Sequence, residues 1–505
     1  MKKQIICLLL TLTLSLTALT ACANTKPNPQ DSLADRAFAI FVELSCIPRG
    51  SGNMQGISDW LVAFGQARGL ETIQDQALNV LIKKPGSKGR EHEPPIALQA
   101  HMDMVCQKDS DVQHDFLTDP IIPIIEGDWV MAQGTTLGAD DGAGVAMILA
   151  VLDADNLSHP PIEAVLTTNE ETDMSGALGF DTSLLAATRM INLDNEVEGM
   201  FCVSSAGGTQ LQISLPLETV ATPEGLLSLR LTVQGLTGGH SGVEIHKGLA
   251  NANILMAQVL RELSEVTYYV SDLEGGSADN AIPRACTVVL SFAEKDLAAV
   301  QAIVARTEAA FMPQYTQDAN LAIEPESADT PQTVWTTAAT QRVLDCILQL
   351  PDGVIAMSPD VEGLVQTSSN LGIVKTQGNE LILCCYPRSS SPTDQADTLD
   401  KLTALAEAAG GALEIISNMP AWPYRADSPL REALIAVYTA LYEKEPRVEA
   451  VHAGLESGAF AKSKPALDII SIGPDLLAVH TPGEKLSLSS FNRTCDFLIE
   501  ILKQI

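Results

Sequence analysis

A chain of 505 residues is too long for one ordinary core, so two domains or more are expected. Apolar residues make up 46% and charged residues 19%, a globular balance that excludes a disordered or fibrous chain. A formal charge of −32 excludes nucleic acid, whose phosphates it would repel; most of those carboxylates are accounted for by a solvated acidic surface, but the balance also suits a site that concentrates cations.

The N-terminus Met1-Lys2-Lys3 precedes an apolar run from Ile5 to Leu19, the layout of a secretory signal peptide and too short for a comfortable membrane span. Leu19-Thr20-Ala21-Cys22 resembles a bacterial lipobox, whose cysteine is lipidated and becomes the mature N-terminus. The expectation is a signal over residues 1–21, a lipidated Cys22, a polar tether over 22–32, and an exported protein held at the cell envelope by a lipid anchor. An ordinary cleaved signal beside a coincidental cysteine is the alternative. The later cysteines are scattered without zinc-ribbon spacing, and Cys384-Cys385 are too close to bond each other.

Asp35–Ser45 reads as a helix with Phe38, Phe41 and Val42 on one face, and Ser58–Arg68 as another with Trp60, Leu61 and Phe64. Short apolar strands then alternate with helices. Ile96–Ala100, Ile162–Thr167 and Arg189–Leu193 are strands, and Gly142–Leu152 is a Gly/Ala-rich helix. That alternation predicts an α/β domain with a mostly parallel sheet. After Gly207-Gly208 the texture changes. Gln210–Leu215, Leu227–Gln234 and Thr287–Ala293 read as strands, Leu249–Leu263 and Leu297–Phe311 as helices, and a second round of helix and strands runs from Thr337 to Tyr386. This predicts an inserted α+β module of two similar halves. Helix resumes at Leu430–Tyr442, a buried strand follows at Leu467–Ile472, and Ser489–Lys503 closes the chain. The first domain is therefore discontinuous, over 33–208 and 415–505, around an insert at 209–414.

Five places carry chemistry. His101-Met102-Asp103 ends a strand, where residues two apart share a face and a carboxylate can fix an imidazole. Gly138-Ala139-Asp140-Asp141-Gly142 sets two carboxylates among glycines where a helix begins, which is also the pattern of a plain acidic cap. Glu170-Glu171 follows an apolar strand; adjacent carboxylates suit a division between metal ligand and proton acceptor, though a solvated pair has the same sequence. Asp194 closes the next strand, and His480 stands far along in Val479-His480-Thr481-Pro482-Gly483-Glu484. Three of the five fall at C-terminal ends of successive predicted strands, where open α/β sheets place their sites. The convergence carries the reading.

These residues resemble the aminoacyl-histidine dipeptidases of the zinc aminoacylase and carboxypeptidase superfamily. Matching stretches include Gln99-Ala100-His101-Met102-Asp103-Met104-Val105, Gly127-Asp128-Trp129-Val130, Gly134 through Asp140, and Ile191-Asn192-Leu193-Asp194. Further matches are Gly238-Gly239-His240-Ser241-Gly242, Asp279 through Arg284, Val451 through Glu456, and Ile472-Gly473-Pro474. The resemblance runs in order from about Asp31 to the C-terminus. It implies a dipeptidase with two divalent ions, zinc by the ligand types, with manganese or cobalt able to take the same ligands. His101 and Asp194 would bind one ion, Glu171 and His480 the other, with Asp140 bridging across a cis Asp140–Asp141 peptide. Glu170 would be general base, Asp103 would support His101, and the insert would be a lid. There His240 would stabilise the oxyanion, while Asn280 and Arg388 would hold the substrate. Cys385-Tyr386-Pro387-Arg388 departs from the family pattern, and Asp141 replaces an Asn. The resemblance also implies pairing of two copies through the lid. An aminoacylase, carboxypeptidase or tripeptidase would share these ligands, and a lipoprotein that binds metal or peptide without cleavage is the other alternative.

Overall fold

A computed structural model describes residues 32–505 except positions 360 and 362. The expected signal segment, Cys22 and the tether up to residue 31 lie outside the described residues. The chain forms two compact units. One comprises the chain up to Val203 with Arg425–Glu449 and Ala459–Ile505, the other Ser204–Tyr424 with Ala450–Gly458. The return of Ala450–Gly458 to the second unit has no sign in the sequence.

The first unit is built on a sheet in the order Glu71–Gln74, Val80–Lys84, Ile162–Thr167, Ile96–His101, Arg189–Asn192, Asp468–Ser471, Met200–Ser205, Arg447–Val451. Its four central strands run parallel, and the neighbours on either side pair antiparallel. The sheet is thus mixed, with a parallel centre. Ile96–His101 and Ile162–Thr167 are buried along their whole length, as parallel strands covered on both faces must be.

Helix Ala139–Asp153 is buried from Ala139 to Leu152, which its Gly/Ala composition permits, and it has no polar face. Asp140 and Asp141 have non-helical dihedrals, so regular helix begins at Gly142. The helix Leu33–Ser45 starts from a capping box between Ser32 and Asp35. Its buried stripe is Ala37, Ile40, Phe41 and Leu44; Phe38 and Val42 from the predicted face are only half-buried. Helix Gln55–Ala67 packs against strands Glu71–Gln74 and Val80–Lys84, while Pro429–Tyr442 packs against the closing helix Leu488–Gln504, which is capped by the Ser487 side chain. Phe201, Tyr438 and Phe497 pack ring against ring, with centroids 5.2–5.6 Å apart.

In the second unit an antiparallel sheet of eleven strands is present among the described residues. The pairing of Glu274-Gly275 with Val374-Lys375 joins its earlier and later strands into one sheet. Helices Ala252–Glu262, Leu297–Phe311, Thr337–Ile347 and Pro392–Ala408 accompany it, and the core gathers residues such as Leu231, Leu255, Val288, Leu371 and Leu383. The first of these helices begins later than periodicity suggests because the Asn251 side chain accepts from the Asn253 and Ile254 amides and fixes the start. Cys384 and Cys385 are both free thiols.

Leu498, in the closing helix, is fully buried. Leu498→Ala is expected to lower unfolding free energy by about 2–5 kcal/mol, the range for an unfilled core cavity. Denaturant titration of the pure protein checks this, and a loss well under 1 kcal/mol would mean that the helix is not locked into the core.

Candidate metal and catalytic site

Parallel register gathers the first residues. His101 pairs with Thr167 and Gln99 with Asn192, so strand ends lie level and the segments after them emerge together. Past Thr167 the chain turns sharply through Asn169, whose positive φ of 58° is tolerated by Asn better than by most residues. The Asn169 Oδ1 accepts from the Gly52 amide, and Asn79 Oδ1 accepts from the Thr168 amide. This turn presents Glu170 and Glu171.

Asp140 arrives on a different loop. Gly138 has φ 71°, and a Cβ there would meet Arg49 Nη2 at 2.6 Å and Met104 Sδ at 2.7 Å, so the position requires glycine. The Asp140–Asp141 peptide is cis. His480 sits in the hairpin between Leu476–Leu477 and Lys485–Ser487, which pairs with Trp129–Met131 and so carries His480 to the Asp140 loop.

The donor atoms converge. His101 Nε2 lies 3.1 Å from Asp140 Oδ1 and 3.8 Å from Asp194 Oδ1. His480 Nε2 lies 3.2 Å from Asp140 Oδ2 and 2.9 Å from Glu171 Oε2. Two donor groups result, His101–Asp140–Asp194 and Asp140–Glu171–His480, each with its atoms within 4.8 Å of one another and both containing Asp140. A third combination is His101, Glu170 and Glu171. Ligands held at about 2.0–2.2 Å around a tetrahedral zinc stand roughly 3.3–3.6 Å apart, a spacing that the observed separations of 2.9 to 3.8 Å bracket. Glu171 Oε1 is buried without a hydrogen-bond partner, as a carboxylate aimed at a cation would be.

Electrostatics points the same way. Burial pushes the Asp140 carboxyl upward, but hydrogen bonds from His101 and His480 outweigh it and hold the group below the usual carboxylate range. Hydrogen bonds to Asp140 and Glu171 lift His480 to about 11. Burial pushes Asp141 well up, reinforced by the Asp194 charge. A surplus of carboxylate around two imidazoles recruits positive charge.

Asp103 is fully buried and does more than support one ring. It lies 3.4 Å from His101 Nδ1, accepts from Ser51 Oγ at 2.8 Å, and accepts from the Glu170 and Glu171 amides at 3.1 and 3.3 Å. Two buried charged residues that the sequence analysis did not single out grip the Asp140 loop. Glu484 accepts from four successive amides, Leu137 to Asp140, and Arg49 donates to the Gly138 carbonyl. Their sequence signals are slight: Glu484 stands four residues after His480, and Arg49 precedes a glycine-rich stretch.

The remaining candidates belong to the second unit. His240 Nδ1 accepts from the Gly242 and Val243 amides at 3.0 and 3.1 Å, which leaves the ring proton on Nε2. Burial and the Arg388 charge lower its pKa, favouring this neutral form. The pairing of Gly239–His240 with Ala281–Ile282 brings exposed Asn280 next to Ser241, whose amide donates to the Asn280 carbonyl. Arg388 is buried, with its guanidinium 3.9 Å from the centre of the Tyr386 ring, and its Nε has no hydrogen-bond partner. Across the strand pair, Ser368 faces Arg388 and Ser368 Oγ lies 2.7 Å from His452 Nε2.

A model of peptidase family M20/M25/M40 matches residues 97–504. The chain is 36% identical over 468 residues to the cytosol non-specific dipeptidase of Escherichia coli, covering 92% of this chain and 96% of that one. It superimposes on the crystal structure of an aminoacylhistidine dipeptidase from Vibrio alginolyticus with a TM-score of 0.87 at 33% identity, covering 94% of this chain and 98% of that one. An aminopeptidase from Bacillus cereus shares the fold at 15% identity and a TM-score of 0.53, over 93% and 98% of the two chains. The expectation of an exported, lipid-anchored envelope protein is corrected by these findings. The relative matching most of the chain is by name a cytosol protein. That expectation rested on the composition of the Ile5–Leu19 run and on Cys22 alone.

Burial lowers the His452 pKa to about 4, and the Arg388 charge acts in the same direction. A histidine below its ordinary 6.5 holds its stabilising effect above pH 6.5 and loses it as pH falls through about 4, because the unfolded chain then binds the proton more readily. That gap corresponds to about 3 kcal/mol. His452→Gln is expected to flatten the stability profile between pH 6.5 and 4 by that order, as read from denaturant midpoints; a profile parallel to that of the parent would exclude the buried neutral ring.

Proposed function

As a member of peptidase family M20/M25/M40 the chain is a hydrolase of peptide bonds, and we propose that it cleaves dipeptides at a two-metal site with Glu170 as general base. The observation that carries the reading is that two donor groups share one carboxylate, Asp140. In this reading His101 and Asp194 would hold one ion, Glu171 and His480 the other, and Asp140 would serve both. Imidazole beside carboxylate suits zinc, whereas calcium and magnesium prefer oxygen alone; manganese and cobalt accept the same ligands. When bound, such ions would supply Lewis acidity and acidify water towards neutral pH.

The protein's own groups do the rest. Asp103 holds the His101 ring and, through the two amides it accepts from, fixes the Glu170-Glu171 turn. Glu170 takes the proton of the attacking water and returns it to the leaving amine. His240, with its proton on Nε2, is equipped to donate to the oxyanion that forms on the scissile carbonyl. Asn280 and Arg388 are assigned to the substrate's polar groups, with Arg388 suited to a carboxylate by its planar fork. The first unit is catalytic in this reading and the second is the lid, and pairing of two copies through the lid is carried by the family resemblance. The names of the relatives favour broad or Xaa-His dipeptide substrates.

Glu170→Gln keeps the shape of the side chain and removes the proton acceptor. The expected result is a fall in kcat of roughly 10²–10⁴-fold with bound metal near normal. Glu171→Gln should lose metal as well. Dipeptide turnover and metal content measured on both variants test this division. Ordinary turnover in Glu170→Gln would sink it, as would equal metal loss from the two neighbours.

A further inference from the structure

We propose that Glu484 and Arg49 are positioning residues of the metal centre, a buried pair of opposite charge that clamps the loop carrying Asp140 and ties it to the segments carrying His480 and His101. The inference rests on the two-metal reading and assigns work to residues outside the ligand set.

Both side chains are only 2% exposed. Glu484 Oε2 accepts from the Leu137 and Gly138 amides at 2.8 and 3.0 Å, and Oε1 from the Ala139 and Asp140 amides at 2.6 and 3.3 Å. Both carboxylate oxygens are therefore committed to the loop ending at Asp140. Glu484 itself leaves the turn that presents His480, where its amide donates to the Thr481 carbonyl. Arg49 works on the opposite side. Its Nη1 donates to the Met102 and Asp103 carbonyls at 3.0 and 3.1 Å, just past His101, while Nη2 donates to the Gly138 carbonyl. Gly138 is thus held at its N–H by an anion and at its carbonyl by a cation.

A second observation shows that the loop is shaped around this cation. A Cβ at Gly138 or Gly142 would meet Arg49 Nη2 at 2.6 or 2.5 Å. The glycines that flank Asp140 leave the space the guanidinium fills.

The energetics favour a positioning role. Removing a carboxylate and a guanidinium from water is expensive, and a plain turn could satisfy four amides with solvent or neutral side chains. What the charged pair adds is rigidity. Asp140 must keep one oxygen towards each donor group, and a bridging ligand tolerates displacement of only about 0.5 Å. Glu484→Gln would turn an NH₂ towards two of the four amides, leaving donors facing a donor.

The test is zinc affinity, measured by competition with a chelator on the whole protein, alongside the thermal midpoint of the metal-free form and the visible spectrum of the cobalt-loaded form. Glu484→Gln is expected to weaken apparent zinc binding roughly 10–100-fold, the usual cost of removing a residue that orients ligands, and to alter the cobalt bands. Glu484→Asp, which keeps the charge but is one methylene short, should recover part of that loss, and it carries the test if Glu484→Gln does not fold. Arg49→Lys, unable to reach both segments, should behave like Glu484→Gln. Asp468→Asn is the comparator. Asp468 is also a buried carboxylate, accepting from Ser428 Oγ and the Leu430 amide, but it stands at the start of its strand and away from the donor groups. It should lower the thermal midpoint and leave zinc affinity unchanged. Unchanged zinc affinity in Glu484→Gln, or an equal loss in Asp468→Asn, overturns the proposal. A parent protein that binds no zinc, manganese or cobalt would instead overturn the two-metal reading beneath it.

Discussion

A carboxylate pressed between two imidazoles is the constraint around which the first unit is organised. Asp140 lies within 3.2 Å of ring nitrogens from His101 and His480, residues 39 and 340 positions away in the chain. Such a group is costly to bury unless its surroundings supply positive charge and fixed donors. The two imidazoles meet that requirement for the carboxylate, while a glycine with positive φ, an anion on the loop amides and a cation on the loop carbonyl fix the loop that carries it.

The sheet serves the same end. Parallel strands in register bring the ends of Ile96–His101, Ile162–Thr167 and Arg189–Asn192 to one edge, and three of the five donors stand on the segments that leave it. Strands lock that edge through backbone hydrogen bonds, which are insensitive to side-chain identity. The loops then need only short, glycine-containing turns to aim their carboxylates. His480 cannot be reached that way. It is delivered by a small antiparallel sheet that pairs Lys485–Ser487 with Trp129–Met131, so two distant segments meet through a few backbone bonds.

Asp103 and Glu484 illustrate how such a site economises on residues. Each is a buried carboxylate that receives backbone amides instead of metal, and each thereby couples one donor-bearing segment to another. In the second unit His240 is governed by the same logic, since two backbone amides on Nδ1 decide which nitrogen keeps the proton. Backbone donors are well suited to this task, because they are fixed by the fold and carry no rotamer freedom.

Much of this was legible in the sequence. Strand Ile162–Thr167 and helix Leu297–Phe311 stand where periodicity puts them, because local pattern and burial agree there. His101, the Asp140-Asp141 and Glu170-Glu171 pairs, Asp194 and His480 stood out as carboxylates and imidazoles at strand ends or among glycines, whereas the choice of Asp140 and Glu171 within the pairs came from the family resemblance. The buried stripe of the first helix was not legible: Ala37 and Ile40 are buried while Phe38 and Val42 are only half so, because the face turned inward is set by packing on helix Ala139–Asp153. The N-terminal run misled, because an apolar stretch and one cysteine carry composition without context. Sequence determined which residues have the chemistry. The tertiary structure brings Asp140 into two donor groups, and it alone decided that Arg49 and Glu484 hold its loop, because hydrogen bonds spanning 89 and more than 340 residues leave no periodic trace along the chain.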